Sequence, residues 1–218
     1  MSIWAHTLVK NEENYIWYAI NSVINWVDKV LVWDTGSTDK TVEIINYIKK
    51  KYPKKISFLK YGEVSAKDYW KPRNEMLKAT KADWILTLDG DEVWWEESIK
   101  KVVQVAKGSK SGEAESIVVR SVNLVGDIYH YQEEAAGQYR FLGKKGHLNL
   151  RAFSTKIPDL YAKGEYGKMG YFDKDGKSIQ ERKETHFLDV SYMHFTHMSR
   201  TATFAKDLEV PKRAKKLK

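Results

Sequence analysis

The sequence predicts an α/β protein built on a mainly parallel, mixed sheet flanked by helices. Three observations carry that expectation. Through residue 107, short apolar runs alternate with segments of helical period, the pattern of right-handed βαβ units. The fourth run, Trp84-Ile85-Leu86-Thr87-Leu88, has the near-continuous apolar character of a buried strand and ends in Asp89-Gly90-Asp91-Glu92. Beyond Gly108 the alternation stops. At 218 residues, 42% of them hydrophobic, the chain suits one domain with a sizeable core.

Taken in order, residues 2–9 predict a first strand. Residues 13–27 predict a helix, because Ile16, Ile20, Val23 and Val27 recur on one face. Residues 29–34 form a second strand. The turn Thr35-Gly36-Ser37-Thr38-Asp39 then opens a helix with the face Val42, Ile45 and Ile48, and Ser37 or Thr38 can cap it. Pro53 ends that region, and residues 56–59 make a third strand. A helix is expected from Pro72, a favoured first-turn residue, to about Thr80. The fourth strand covers 83–88, and a helix covers 96–106 after the acidic turn. In the second half, residues 116–120 and 148–153 read as strands separated by a tyrosine-rich segment, and residues 159–185 are glycine-rich and irregular. The organisation expected is a nucleotide-binding half over 1–107, a half with substrate-specific additions over 108–200, and a basic tail over 201–218.

The chain has no cysteine, so disulfides, thiol catalysis and cysteine-ligated zinc are excluded. No apolar run reaches ~18 residues and no secretory signal is visible, so a cytoplasmic protein is expected. The net charge of +8 suits an anionic partner: nucleic acid, a membrane surface or a phosphorylated small molecule. Basic residues gather at Lys49-Lys50-Lys51 and in the tail, at Lys212, Arg213, Lys215, Lys216 and Lys218. With Phe204, Leu208, Val210 and Leu217 the tail could lie on an anionic inner membrane surface, although Pro211 would interrupt a helix there.

The acidic turn is the main chemical signal. Carboxylates two residues apart, with a glycine between them at a strand's C-terminal end, can hold a hard divalent cation. Its remaining positions are then left to phosphate oxygens and water. A calcium loop does not fit, because Val93-Trp94-Trp95 stands where further ligands would be needed. Glu92 supports the turn or acts as a helix-start acid. Asp34 or Asp39 can accept hydrogen bonds from a base or a ribose, or can serve only as turn and cap. Arg73 can reach a phosphate or hold Asp89 in place. HExxH is absent, which excludes a zinc-protease helix. If 192–198 is a strand, His194 and His197 point to opposite faces, and His194 is the preferred contact. Trp94, Trp95, Tyr129, Tyr131 and Tyr139 are candidates for stacking on sugar.

Four segments taken together carry a family resemblance. Thr7 to Glu13, Asp34 to Thr41, Pro72-Arg73-Asn74 and Leu88 to Glu92 resemble, in order and spacing, the nucleotide-sugar half of family 2 glycosyltransferases with the GT-A fold. The resemblance covers roughly residues 2–105 and extends diffusely to Tyr192-Met193-His194-Phe195-Thr196-His197. It implies one GT-A domain over 1–200 and an inverting transfer from a nucleotide diphosphate-sugar, with UDP preferred. The acceptor would be a carbohydrate, a lipid-linked molecule or a protein, and nucleic acid is not expected as a partner. Donor contacts would fall to Thr7, Val9, Glu12, Asp34, Asp39, Arg73, Asp89 and Gly90. Mn²⁺ or Mg²⁺ would sit on Asp91 and Asp89 with His194. The base would be an acceptor-side acid, Glu165 first, then Asp173, then Glu134, although the family's Glu-Asp pair is not evident. Two other classes stay open: a sugar nucleotidyltransferase of similar fold, whose glycine- and lysine-rich first loop is missing, and a basic nucleic-acid-binding module.

Overall fold

The computed structural model describes residues 1–108 and 113–202, so the basic tail lies largely outside the described residues. The N-terminal half runs β1 (Ile3–Val9), α1 (Ile16–Val23), β2 (Lys29–Asp34), α2 (Thr41–Lys51), β3 (Ile56–Lys60), α3 (Trp70–Ala79), β4 (Trp84–Thr87), β5 (Glu92–Trp94) and α4 (Glu96–Gly108). The second half adds β6 (Ser116–Val125), β7 (Asp127–Tyr131), β8 (Tyr139–Phe141) and β9 (Lys144–Gly146). It continues with β10 (Leu148–Ser154), β11 (Tyr161–Lys163), β12 (Gly170–Phe172) and β13 (Thr185–His197).

One mixed sheet joins both halves in the order β3-β2-β1-β4-β10-β6-β13-β5, with β7 on β6. The pairs among β1, β2, β3 and β4 are parallel, and β10 enters antiparallel between β4 and β6. Alternation across the central strands explains their unbroken apolar runs. Ala5, Val9, Val30 and Val32 face α1, α2 and α4, where Ile16, Ile20, Ile45 and Val102 close the main core. Leu8, Leu31 and Trp33 face the opposite layer and pack on Met76 of α3.

Local chemistry corrects several expected boundaries. The helix expected over 13–27 is regular only over Ile16–Val23. The stretch Val23-Ile24-Asn25-Trp26-Val27 has low helical preference, and the Lys55 ammonium holds the freed carbonyls of Ile24 and Val27. Val27 still reaches the core. Pro72 is the third residue of α3, a first-turn position that needs no N–H, after a 3₁₀ turn at Ala66–Asp68. Neither Ser37 nor Thr38 caps α2. Instead Asp39 Oδ1 accepts from the Thr41 N–H at 2.9 Å, while Ser37 Oγ accepts from the Asn11 N–H and Asn11 Oδ1 accepts from the Thr38 N–H. Glu92 is not a helix-start acid: it lies on β5, and Glu96 and Glu97 occupy the first turn of α4.

Candidate active site

The first two motif segments are clasped loop to loop. Glu12 N–H donates to Thr41 Oγ1 at 2.7 Å, and Glu13 N–H donates to Asp39 Oδ2 at 3.1 Å. Asn11 sits at φ +53°, a left-handed conformation that asparagine tolerates better than most residues. Asn74 reaches the other half: its side-chain Nδ2 donates to the Ala162 carbonyl of β11 and its Oδ1 accepts from the Ala162 N–H. These contacts set the edges of a cavity of about 720 Å³ at the C-terminal ends of β1 and β4. Tyr69, just before α3, and Arg73 of α3 form one wall, Leu148 to Arg151 of β10 a second, and residues 166–171 a third.

The acidic turn enters this cavity through Asp89, Gly90 and Asp91. Gly90 is required there: a Cβ would stand 2.6 Å from Glu12 Cγ. Three arginines from three distant elements hold the acids. Arg73 Nη2 lies 3.1 Å from Asp89 Oδ1. Arg151 pairs with Glu92, lies 3.7 Å from Asp89 Oδ2, and donates through Nε to the Tyr192 hydroxyl at 2.8 Å. Arg200 bridges Glu12 at 3.0 Å and Asp91 at 2.8 Å. His194 Nε2 stands 3.2 Å from Asp91 Oδ2.

Electrostatics follow from burial and these partners. Burial alone would raise the Asp89 pKa, but Arg151 and Arg73 outweigh it and hold the carboxyl below its ordinary value. Glu92, fully buried, is pushed up to about 8, with Arg151 opposing the shift. Burial lowers His194 despite Asp91, which favours a neutral imidazole, the form able to bind a metal. Arg73 retains donor capacity: among the described residues its Nε and Nη1 have no hydrogen-bond partner.

The structure gathers seven of the sequence-selected residues on the cavity wall: Val9, Glu12, Arg73, Asp89, Gly90, Asp91 and His194. Thr7 is buried within β1. Asp34 is also buried, and its carboxylate is spent on its own turn, accepting from the N–H groups of Gly36 and Ser37. Asp39 is spent on the N–H groups of Thr41, at the start of α2, and Glu13, in the facing loop. Asp173 is engaged by Arg182 at 2.7 Å and by the N–H groups of Asp175 and Lys177. Glu165 is exposed and paired with Lys168 at 2.9 Å, beside the lining residue Tyr166, whereas Glu134 pairs with Arg120. Trp94 is buried against Tyr192, while Tyr139 lines the cavity.

As a cation site the donor set fits in part. Asp91 and His194 lie side by side and offer one carboxylate and one imidazole, with Asp89 turned to its arginines. No group of three or more histidines and acids that could hold a metal occurs among the described residues, so phosphate and water would complete any shell. Sequence reasoning missed Arg151, Arg200 and Tyr192. The one legible signal was Arg151 itself, a charge inside the apolar strand Leu148-Asn149-Leu150-Arg151-Ala152-Phe153, where burial without a partner is costly.

The family model described as Glycosyl transferase family 2 matches residues 6–174. The SPbeta prophage-derived glycosyltransferase SunS of Bacillus subtilis (strain 168) is 31% identical over 101 residues, which is 46% of this chain and 22% of that protein. The matched segments span about a quarter of the curated relatives' own length, at 22% and 28%. Among solved structures, S. aureus TarS in complex with UDP aligns over 99% of this chain and 65% of its own, at TM-score 0.57 and 18% identity. Glucosyl-3-phosphoglycerate synthase from Mycobacterium tuberculosis, in complex with Mn²⁺, UDP and glucosyl-3-phosphoglycerate, aligns over 97% and 76% at TM-score 0.53 and 16% identity. At such identities the likeness is one of fold.

Proposed function

The chain belongs to glycosyl transferase family 2 and has its GT-A fold, and from that premise we propose that it transfers a sugar from a nucleotide diphosphate-sugar to an acceptor hydroxyl. The observation that carries this is the acidic turn opening into a cavity walled by arginines, where a diphosphate and a cation would be neutralised together. UDP is the proposed nucleotide, because the TarS and M. tuberculosis structures were both solved with it. Inversion is proposed from the family resemblance. Residues 1–200 are read as one domain, in keeping with the single sheet that both halves share.

Each residue's part follows from its contacts. Arg73 and Arg151 hold Asp89 in one orientation, facing the ribose or phosphate side of the donor. Asp91 and His194 would hold Mn²⁺ or Mg²⁺; Mn²⁺ is the ion in the M. tuberculosis complex. When bound, that cation would offset the charge developing on the departing diphosphate. Arg200 fixes Glu12 and Asp91 relative to one another before any ligand arrives. The acceptor, a carbohydrate, a lipid-linked molecule or a protein, would enter from the side of residues 166–171.

Glu165 remains the proposed base, because Asp173 is buried and held by Arg182 and two backbone N–H groups. Lys168 keeps the Glu165 pKa low and must release it as the acceptor binds. Glu165→Gln is therefore expected to bind donor normally and lose about 10²–10⁴-fold in kcat. Asp173→Asn should instead lower the unfolding midpoint and leave kcat nearly unchanged. A fully active Glu165→Gln enzyme would remove the assignment. Among the described residues no helix is long and apolar enough to cross a membrane.

A thermal-shift screen of UDP-, GDP-, TDP- and CMP-sugars, with and without Mn²⁺, tests the donor reading directly. A ligand at 100 times its Kd stabilises by about 2.7 kcal/mol, so the true donor should stand out. A screen in which no nucleotide-sugar raises the midpoint would reject it.

A further inference from the structure

We propose that the β8–β9 hairpin is a docking element for an anionic lipid surface, placed at the mouth of the cavity. The proposal goes beyond the donor chemistry and does not depend on it. Tyr139-Arg140-Phe141-Leu142-Gly143-Lys144-Lys145-Gly146 carries three cations and no acid. Its register sets Arg140 directly opposite Lys145, a like-charge pair that repels in water, and both residues are exposed. The two-residue turn is Leu142-Gly143, with φ +46° and +74°. Such a turn favours asparagine, aspartate or glycine at its first position, and a leucine there is strained. That leucine is also 69% exposed, and Tyr139 at the hairpin's base is 58% exposed.

An exposed leucine in a disfavoured conformation and two facing cations are each unfavourable in water. An anionic bilayer surface offsets the facing cations and the leucine's exposure together, while the turn conformation keeps Leu142 at the hairpin tip. Its headgroups would neutralise Arg140 and Lys145, while Leu142 enters the acyl boundary and Tyr139 lies at the interface. Lys144 braces the hairpin from behind, over the Phe187 ring of β13 at 5.1 Å. The acids that approach it, Glu134 beside Gly146 and Asp189 beyond Lys144, are both paired with Arg120. Because Tyr139 lines the cavity, and Leu148 and Asn149 just after the hairpin do too, docking would hold this rim of the cavity against the lipid.

The test is co-sedimentation of the full chain with phosphatidylcholine vesicles, with and without phosphatidylserine, across a salt series. Binding should require phosphatidylserine and weaken as salt rises. Arg140→Gln and Lys145→Gln should each lower the partition coefficient about fivefold. The pair Lys49→Gln and Lys50→Gln on the exposed face of α2 removes two charges, one more than either hairpin variant, and should leave binding unchanged. Leu142→Asn supplies a second readout: partition should fall several-fold while the thermal midpoint holds or rises, since asparagine suits the left-handed turn. Failure of the wild-type chain to bind anionic vesicles would overturn the proposal. So would unchanged binding in the hairpin variants, equal loss in the α2 control, or loss confined to removal of residues 203–218. Hairpin-dependent binding to duplex DNA in place of vesicles would overturn the lipid assignment.

Discussion

Asp91→Asn is expected to reduce sugar transfer by about 10²–10³-fold, the scale of losing one group that stabilises transition-state charge. It should also remove the Mn²⁺-dependent part of donor binding. Read as sequence, this carboxylate belongs to an exposed turn and its loss would spare the fold. The structure buries it to 1% exposure between His194 and Arg200, so the substitution also leaves Arg200 with Glu12 as its remaining named carboxylate partner. A stability loss of about 1–3 kcal/mol is therefore expected alongside the loss of activity. Donor titrations with and without Mn²⁺, beside urea unfolding of the same preparations, separate the two effects. Turnover close to that of the wild-type enzyme would rule out Asp91 as the cation ligand.

The largest effect on stability is expected from Arg151→Met. The guanidinium is the countercharge for Glu92, which is fully buried and whose pKa burial already pushes to about 8. Removing one partner of a buried pair typically costs about 3–5 kcal/mol where the other keeps its charge, and less below about pH 8, where Glu92 takes up a proton instead. The Tyr192 hydroxyl loses its donor in the same step. Urea denaturation at pH 9 should show this cost, and adding Glu92→Gln should recover a substantial part of it there by removing the stranded charge. The double variant should still transfer slowly, since Asp89 would then have only Arg73 to orient it. If the single substitution proves neutral, or the double mutant recovers nothing, the Arg151–Glu92 pair does not hold the turn.

Local information determined much of this molecule. Strands buried on both faces must be apolar at consecutive positions, so β1, β2 and β4 are legible as runs, and the amphipathic faces of α2 and α4 as period. The acidic turn was legible for the same reason, since polar residues that abruptly end a buried strand mark the sheet's ligand-binding end. Four motif segments were enough to identify the family. Tertiary structure decided the rest, because pairing depends on distance through space and not along the chain. Arg73, Arg151 and Arg200 reach the acidic cluster from α3, β10 and the segment after β13, and nothing local in residues 151 or 200 names a partner. It spent Asp34 on its own turn and Asp39 on the Thr41 and Glu13 N–H groups, and tied Asp173 to Arg182. An isolated carboxylate looks alike in sequence whether it will be a base, a ligand or a clasp. What separates these fates is burial and the donors that fold up around it, and both arise only once the two halves share one sheet.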